Sequence, residues 1–171
     1  SIGIDFGTSG ARAIALQNDT AIASVQVPFD TQTETSADHW PTLWKTVLFD
    51  LLNQLPEPVR QTTDAIAING TSATVLLCDA DGEPITAPLL YNDRRAGEVL
   101  DQVNAIAPAD HPVISASSSL AKLFWWNAQG ALSDQRCLLH QADWLAFWLH
   151  GQLGISDYHN ALKLGYDVVN Q

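Results

Sequence analysis

The chain has 171 residues, 46% of them hydrophobic, and 19 acidic residues against 8 lysines and arginines give a net charge of −11. That length and apolar content suit one globular domain with a full core, and the negative charge argues against nucleic acid or an anionic membrane surface as a partner. No apolar run approaches the roughly 20 residues of a membrane span. Cys78 and Cys137 stand far apart in sequence without a Cys-x-x-Cys pattern, which reads as reduced structural thiols in a cytoplasmic protein. The first residues already form a strand-like run, so no signal peptide is expected.

The first predicted element is a β-hairpin in Ile2-Gly3-Ile4-Asp5-Phe6-Gly7-Thr8-Ser9-Gly10-Ala11-Arg12. A strand runs to about Asp5, a tight turn covers Gly7 to Gly10, and a second strand starts at about Arg12. The glycines permit positive φ and a close ligand, and the turn amides can point at phosphate oxygens. Asp5, at the strand end, is placed to hold a hard cation such as Mg²⁺ beside those phosphates. Arg12 adds a fixed positive fork suited to phosphoryl charge. A Walker A loop is excluded because the lysine is missing, and a Rossmann fingerprint because G-x-G-x-x-G does not occur here. On these residues alone, an ordinary glycine hairpin with an incidental aspartate stays open.

A third strand follows over Ala21–Pro28, then a polar loop over Thr31–Ser36. Asp38 is expected to cap a helix that tolerates Pro41 in its first turn. Trp40, Leu43, Trp44, Val47, Leu48, Leu51, Leu52 and Leu55 recur on one face, which should pack on the sheet. The tryptophans read as core rather than as a ligand platform. Pro56 and Pro58 stop that helix. Asp64–Asn69 reads as a buried central strand ending in the turn-prone Asn69-Gly70-Thr71-Ser72. Ala73–Cys78 and Pro84–Pro88 read as a hairpin around Asp79-Ala80-Asp81-Gly82.

Further on, 93–107 is expected to be helical with Val99, Val103 and Ile106 on one face, followed by a Ser- and Pro-rich loop to Ser119. Leu120, Leu123, Phe124 and Asn127 mark one face of a short helix halted near Gly130. A nearly all-apolar helix over Gln141–His150 should be well buried and ends at Gly151. The five histidines show no ligand spacing, so zinc is not expected. No Ser-His-Asp arrangement follows from residue order.

Three segments carry a family resemblance. Ile4-Asp5-Phe6-Gly7-Thr8-Ser9-Gly10-Ala11-Arg12 resembles the first phosphate motif of the actin/hexokinase superfamily, with the arginine spaced as in FGGY carbohydrate kinases. Pro88-Leu89-Leu90-Tyr91-Asn92-Asp93-Arg94-Arg95-Ala96 is similar to the sugar-site segment Trp-x-Asp-x-Arg of pentulose and glycerol kinases, with Tyr91 in place of the commoner tryptophan. Ser156-Asp157-Tyr158-His159-Asn160-Ala161 resembles a Thr-Asp-Tyr-Ser-x-Ala segment of the same enzymes.

The resemblance implies an α/β, ribonuclease-H-like mixed sheet flanked by helices. It also implies that 1–171 is an incomplete N-terminal, sugar-binding domain, with the C-terminal ATP-binding domain absent. The implied activity is ATP-dependent phosphorylation of a ketopentose such as D-xylulose or D-ribulose, with ATP and Mg²⁺ as cofactors. Gly7, Thr8, Ser9, Gly10 and Arg12 would take the ATP phosphates. Asp5, Ser72, Tyr91 and Asp93 would take the sugar, and Asp5 also the Mg²⁺. The general-base aspartate is expected beyond Gln171, so the chain alone should be inactive.

Where xylulokinases show Met-His and glycerol kinases Arg-Glu, this chain has Ser72 and Ala73, which matches neither specificity. Arg94 and Arg95 read equally well as surface charges, the second more so. Ser117–Ser119 are expected to border the sugar pocket, ahead of Lys122-Leu123-Phe124-Trp125; Asp157 and Asn160 are expected to be structural caps. The partners implied are a sugar and ATP, with a homodimer compatible and neither nucleic acid nor membrane expected. Two alternatives stay open: an actin-like nucleotide-binding or scaffold module without kinase activity, and a stand-alone sugar-binding module.

Overall fold

The computed structural model describes residues 1–29 and 36–167, so the loop expected over Thr31–Ser36 lies, Ser36 apart, outside the described residues. The chain opens with a meander of β1 (Ile2–Phe6), β2 (Gly10–Gln17) and β3 (Thr20–Pro28), followed by α1 (Trp40–Gln54) and a short α2 (Glu57–Gln61). Then come β4 (Ile66–Gly70), β5 (Val75–Cys78), α3 (Leu100–Asn104), α4 (Ser119–Ala128), β6 (Cys137–His140), α5 (Gln141–His150) and α6 (Tyr158–Leu162). The first four strands form a mixed sheet in the order β3-β2-β1-β4, with β4 parallel to β1 and the other pairs antiparallel. The expected mixed α/β sheet flanked by helices is what forms.

Side-chain alternation explains the core. Ile2, Ile4 and Phe6 of β1 and Ala11, Ala13 and Ala15 of β2 are buried on one face, as the two-residue period of a strand dictates. The small alanines of β2 leave room for α1, whose Trp44, Val47, Leu48 and Leu51 are buried in the same cluster. The predicted stripe of α1 is the buried one, and Pro41 stands in its first turn. Asp38 does not cap this helix: it lies inside a 3₁₀ turn over Ala37–His39, and its carboxylate accepts from Ser36 Oγ at 3.2 Å.

Several expectations are corrected. The strand over 64–69 exists as β4 but is not a buried central strand. It lies at the sheet edge among the described strands, and Ile66 is 41% exposed. A short apolar run has the same appearance at an edge as in a centre. The hairpin partner expected at 84–88 is not a strand. The Asp79–Gly82 turn forms, with Gly82 at φ +80, but the returning chain makes only isolated bridges beside β5. Pro84 and Pro88 each lack an amide for a ladder. The strand that pairs with β5 is β6, antiparallel, which sets Cys78 directly opposite Cys137.

The helix expected over 93–107 breaks into a 3₁₀ turn over Arg95–Val99 and α3, and Ile106 is exposed although Val99 and Val103 are buried as expected. In α4 the buried positions are Ser119, Ala121, Lys122 and Trp126, while Leu120, Leu123 and Phe124 are half-buried and Asn127 is exposed. The predicted face is thus not the most buried one, because α4 turns the Lys122 side of the helix inward. Only the first half of α5, Gln141–Leu145, is buried.

Candidate functional site

Strand register builds the first part of the site. Asp5 is aligned with Arg12 of β2 on one side and Asn69 of β4 on the other. Asn69 Nδ2 donates to Asp5 Oδ1 at 3.1 Å, and Arg12 Nε lies 3.4 Å from Asp5 Oδ2. The Asp5 side chain is 41% exposed, so the carboxylate faces solvent rather than a dry core.

The turn after β1 closes with the Gly7 amide donating to Gly10 O at 3.0 Å, and Thr8 and Ser9 are exposed at its tip. Neither Gly7 nor Gly10 has positive φ, contrary to the conformational role expected of them. Gly10 is needed for another reason. A Cβ there would stand 2.8 Å from Val27 O, so the pairing with β3 at this point requires the bare backbone. A Cβ on Gly7 would meet only Gly10 O, at 3.4 Å.

Three hollows run on from this turn. One of about 200 Å³ is lined by Gly7, Ser9, Gly10 and Arg12. The next, about 210 Å³, lies between Gly7, Thr8, Trp40, Trp44, Tyr91 and Asn92. A further hollow of about 200 Å³ is bordered by Ser72, Tyr91, Ser115, Ser117, Ser118 and Lys163. Gly7 is common to the first two and Tyr91 to the last two. The predicted phosphate turn, Tyr91 and Ser72 therefore border neighbouring hollows, while Asp5 lines none of the three. A larger hollow of about 590 Å³, between α1 and the Glu83–Thr86 segment, gathers none of the predicted residues.

Ser72 Oγ is buried without a hydrogen-bond partner. The Ser72–Ala73 turn is closed by Thr74 N donating to Thr71 O, with Ala73 at φ +62. Tyr91 is 45% exposed, its amide tied to Thr74 Oγ1 at 3.0 Å. Asp93 is placed differently. It is not among the residues lining the three hollows, and Arg95 holds its carboxylate through Nε at 3.0 Å and Nη2 at 2.8 Å. Arg95 also lies over the Trp125 ring, so it is a paired residue rather than a bare surface charge.

Trp44 is core, as expected, yet it and Trp40 also floor the middle hollow. Three further residues support the cleft without having been singled out for it. Gln141, 1% exposed, accepts from Thr71 N through Oε1 at 2.9 Å. Thr74 supplies the acceptor for Tyr91. Lys122 places its ammonium between two backbone carbonyls, of Ala73 and Leu90. The signal for Lys122 was visible: one cation on an otherwise apolar helix.

Ser117 and Ser118 line the hollow, but Ser119 turns away to His140 Nε2 at 2.8 Å. His140 Nδ1 is 3.2 Å from Asp143 Oδ2, which also accepts from Ser156 Oγ at 2.7 Å. Ser119, His140 and Asp143 are all buried, so this Ser-His-Asp chain is a structural relay without access to a substrate. It fastens the third motif to α4 and α5, and Asp157 caps α6 by accepting from Asn160 N at 2.8 Å.

Comparison with known proteins bears on the family and the fold. Residues 1–168 match the model of the FGGY family of carbohydrate kinases, N-terminal domain. The chain is 29% identical over 133 residues to a xylulose kinase of Streptomyces coelicolor, covering 72% of this chain and 27% of that protein. It is 26% identical over 147 residues to a xylulose kinase of Streptomyces rubiginosus, covering 85% and 28%. The chain thus spans little more than a quarter of the length of these relatives. Among solved structures, xylulose kinase from Rhodospirillum rubrum superposes with a TM-score of 0.73 at 21% identity, covering 96% of this chain and 36% of that one. Plasmodium falciparum glycerol kinase with ADP gives 0.71 at 16% identity, covering 95% and 36%. The structural likenesses establish the actin/hexokinase-like fold, and the match over nearly the whole sequence establishes more: the chain belongs to the FGGY family of carbohydrate kinases, matching their N-terminal domain.

Proposed function

We propose that the protein carrying this chain transfers the γ-phosphoryl group of ATP to a hydroxyl of a ketopentose, D-xylulose or D-ribulose. One arrangement supports this above all: the hollows at the Gly7–Gly10 turn neighbour, through Gly7 and Tyr91, the one bordered by Ser72, and Asp5 is partly exposed on the strand leading into that turn. A phosphate donor and a sugar alcohol would meet there. Phosphoryl transfer needs mainly positioning and charge neutralisation.

Asp5 fits a Mg²⁺ anchor by its chemistry. Mg²⁺ takes one or two carboxylates and completes its shell with phosphates and water, and the Asp5 carboxylate is partly exposed. When bound, the ion would supply neutralisation of phosphate charge. Arg12, 73% exposed and paired to Asp5, can turn its guanidinium to the same phosphates. The exposed hydroxyls of Thr8 and Ser9, with the turn amides, would orient them.

On the sugar side, Ser72 Oγ is a buried hydroxyl in need of a partner, and Tyr91 offers a ring face with a phenol. Asp93 would contribute to the sugar site through its charge and its hold on Arg95. The two Streptomyces relatives compared above are xylulose kinases, which favours a ketopentose. The general base lies outside this chain in the proposed enzyme.

The test is ADP release by the full-length protein with D-xylulose, D-ribulose and glycerol in turn. Pentulose-dependent release is expected, falling at least about 100-fold in Asp5→Asn, with none from the 171-residue chain alone. Release that ignores the sugar, or turnover by the short chain, would overturn the assignment.

A further inference from the structure

Lys122 is 0% exposed, in the middle of an apolar helix. A buried ammonium persists only where it is well hydrogen-bonded. Its Nζ donates to Ala73 O at 2.6 Å and to Leu90 O at 2.7 Å. Both distances are short, as expected of charge-assisted bonds.

The two carbonyls belong to different segments. Ala73 closes the Thr71–Thr74 turn in a left-handed conformation, φ +62, which disfavours a residue with a Cβ. Leu90 leads directly into Tyr91. Ser72 precedes the first carbonyl and Tyr91 follows the second, and both residues line one hollow. Lys122 itself is not among the residues lining that hollow, and it reaches them through the Ala73 and Leu90 carbonyls. Without the ammonium, two carbonyl oxygens would converge on the same dry point and repel each other. An apolar side chain of equal length would remove the side-chain donor from both, and Leu90 O would keep the Asp93 amide at 2.9 Å. Burial lowers the Lys122 pKa from the usual 10.5 to about 8, with the Asp93 carboxylate opposing the shift, so the charge is present at neutral pH.

We infer that Lys122 is a positioning residue: its ammonium fixes the spacing between the Ser72–Ala73 turn and the Leu90–Tyr91 segment, and with it the width of the sugar pocket. The functional consequence rests on the sugar-kinase assignment, whereas the staple itself rests on this chain's geometry alone.

The experiment compares wild type, Lys122→Met and Lys122→Gln in the full-length protein. Hydrogen exchange follows the Thr74 and Tyr91 amides, with the α1 amides as an internal control for folding, and steady-state kinetics give KM for D-xylulose and for ATP. In Lys122→Met the Thr74 and Tyr91 amides should exchange at least tenfold faster while α1 is unchanged. KM for the sugar should rise at least tenfold and KM for ATP less than twofold. Lys122→Gln keeps a donor for one carbonyl and should fall between, and it carries the comparison if the methionine variant does not fold. Unchanged exchange at Thr74 and Tyr91 would overturn the staple. Faster exchange with the sugar KM within twofold would overturn its effect on the pocket. A wild-type protein without sugar-dependent turnover would remove the kinase assignment, and the exchange data would still decide the staple.

Discussion

Ser72 has a hydroxyl that the folded chain buries and leaves without a partner. An unsatisfied buried hydroxyl weakens a fold, and a ligand that supplies its hydrogen bond recovers the loss. Ser72→Ala should therefore keep or raise stability, by up to about 1 kcal/mol, while weakening pentulose binding by about 1 kcal/mol, or roughly fivefold. Thermal unfolding without sugar and KM for D-xylulose read the two effects separately; a fall in both stability and affinity would mean that Ser72 is a structural residue. Asp5 and Asp93 differ at the same scale. Asp5 stays partly exposed between Arg12 and Asn69, whereas Asp93 is 16% exposed and gripped by Arg95. The two carboxylates looked alike in sequence because a carboxylate's availability depends on which cation reaches it.

Among the elements, the opening hairpin carries two glycines with different duties. A methyl on Gly10 would push into the backbone of β3, 2.8 Å from Val27 O, whereas one on Gly7 meets ordinary contact at 3.4 Å. Gly10→Ala should cost roughly 1–3 kcal/mol of stability, as overpacking does, whereas Gly7→Ala should fold within about 0.5 kcal/mol of wild type. Urea unfolding of the two variants checks this, and equal losses would remove the distinction. If Gly7→Ala then impairs ADP release, the effect belongs to the phosphate end of the cleft and not to folding. The β5–β6 pair shows the other side of element-scale reasoning. Its strands are joined by a long excursion through α3 and α4, and no local signal marks them as neighbours.

For the whole molecule, the unusual protonation states lie in the packed interior and give stability a shaped pH profile. Lys122 titrates near 8 when folded and near 10.5 when unfolded. Between those values the unfolded chain binds more protons, so stability rises with pH. Burial, with the nearby Cys137, Asp79 and Glu83 charges, pushes the Cys78 thiol from 9.0 up to about 12, and burial also raises Cys137. Those thiols keep protons that the unfolded chain loses, so above pH 9 their contribution falls as pH rises. From pH 8 to 9 the lysine dominates, and the 171-residue chain should gain on the order of 1 kcal/mol. Lys122→Met should abolish that gain, and Cys78→Ala should soften the decline above pH 9. Urea midpoints measured from pH 7.5 to 10.5 give the profile, and a wild type that weakens between pH 8 and 9 would contradict it.

The sequence by itself determined the β1–β3 meander, the buried stripe of α1, the bounds of α5 and the three motifs. These follow from chain-local rules: side-chain period, proline and glycine punctuation, and residue spacing. Tertiary structure alone decided that β4 lies at an edge among the described strands, that Cys78 faces Cys137, that Gly10 makes room for the paired β3 backbone, and that Lys122 turns inward to join the Ala73 and Leu90 carbonyls. Each of these depends on which distant backbone arrives within hydrogen-bond or contact distance, and periodicity along one segment carries no information about what packs against it.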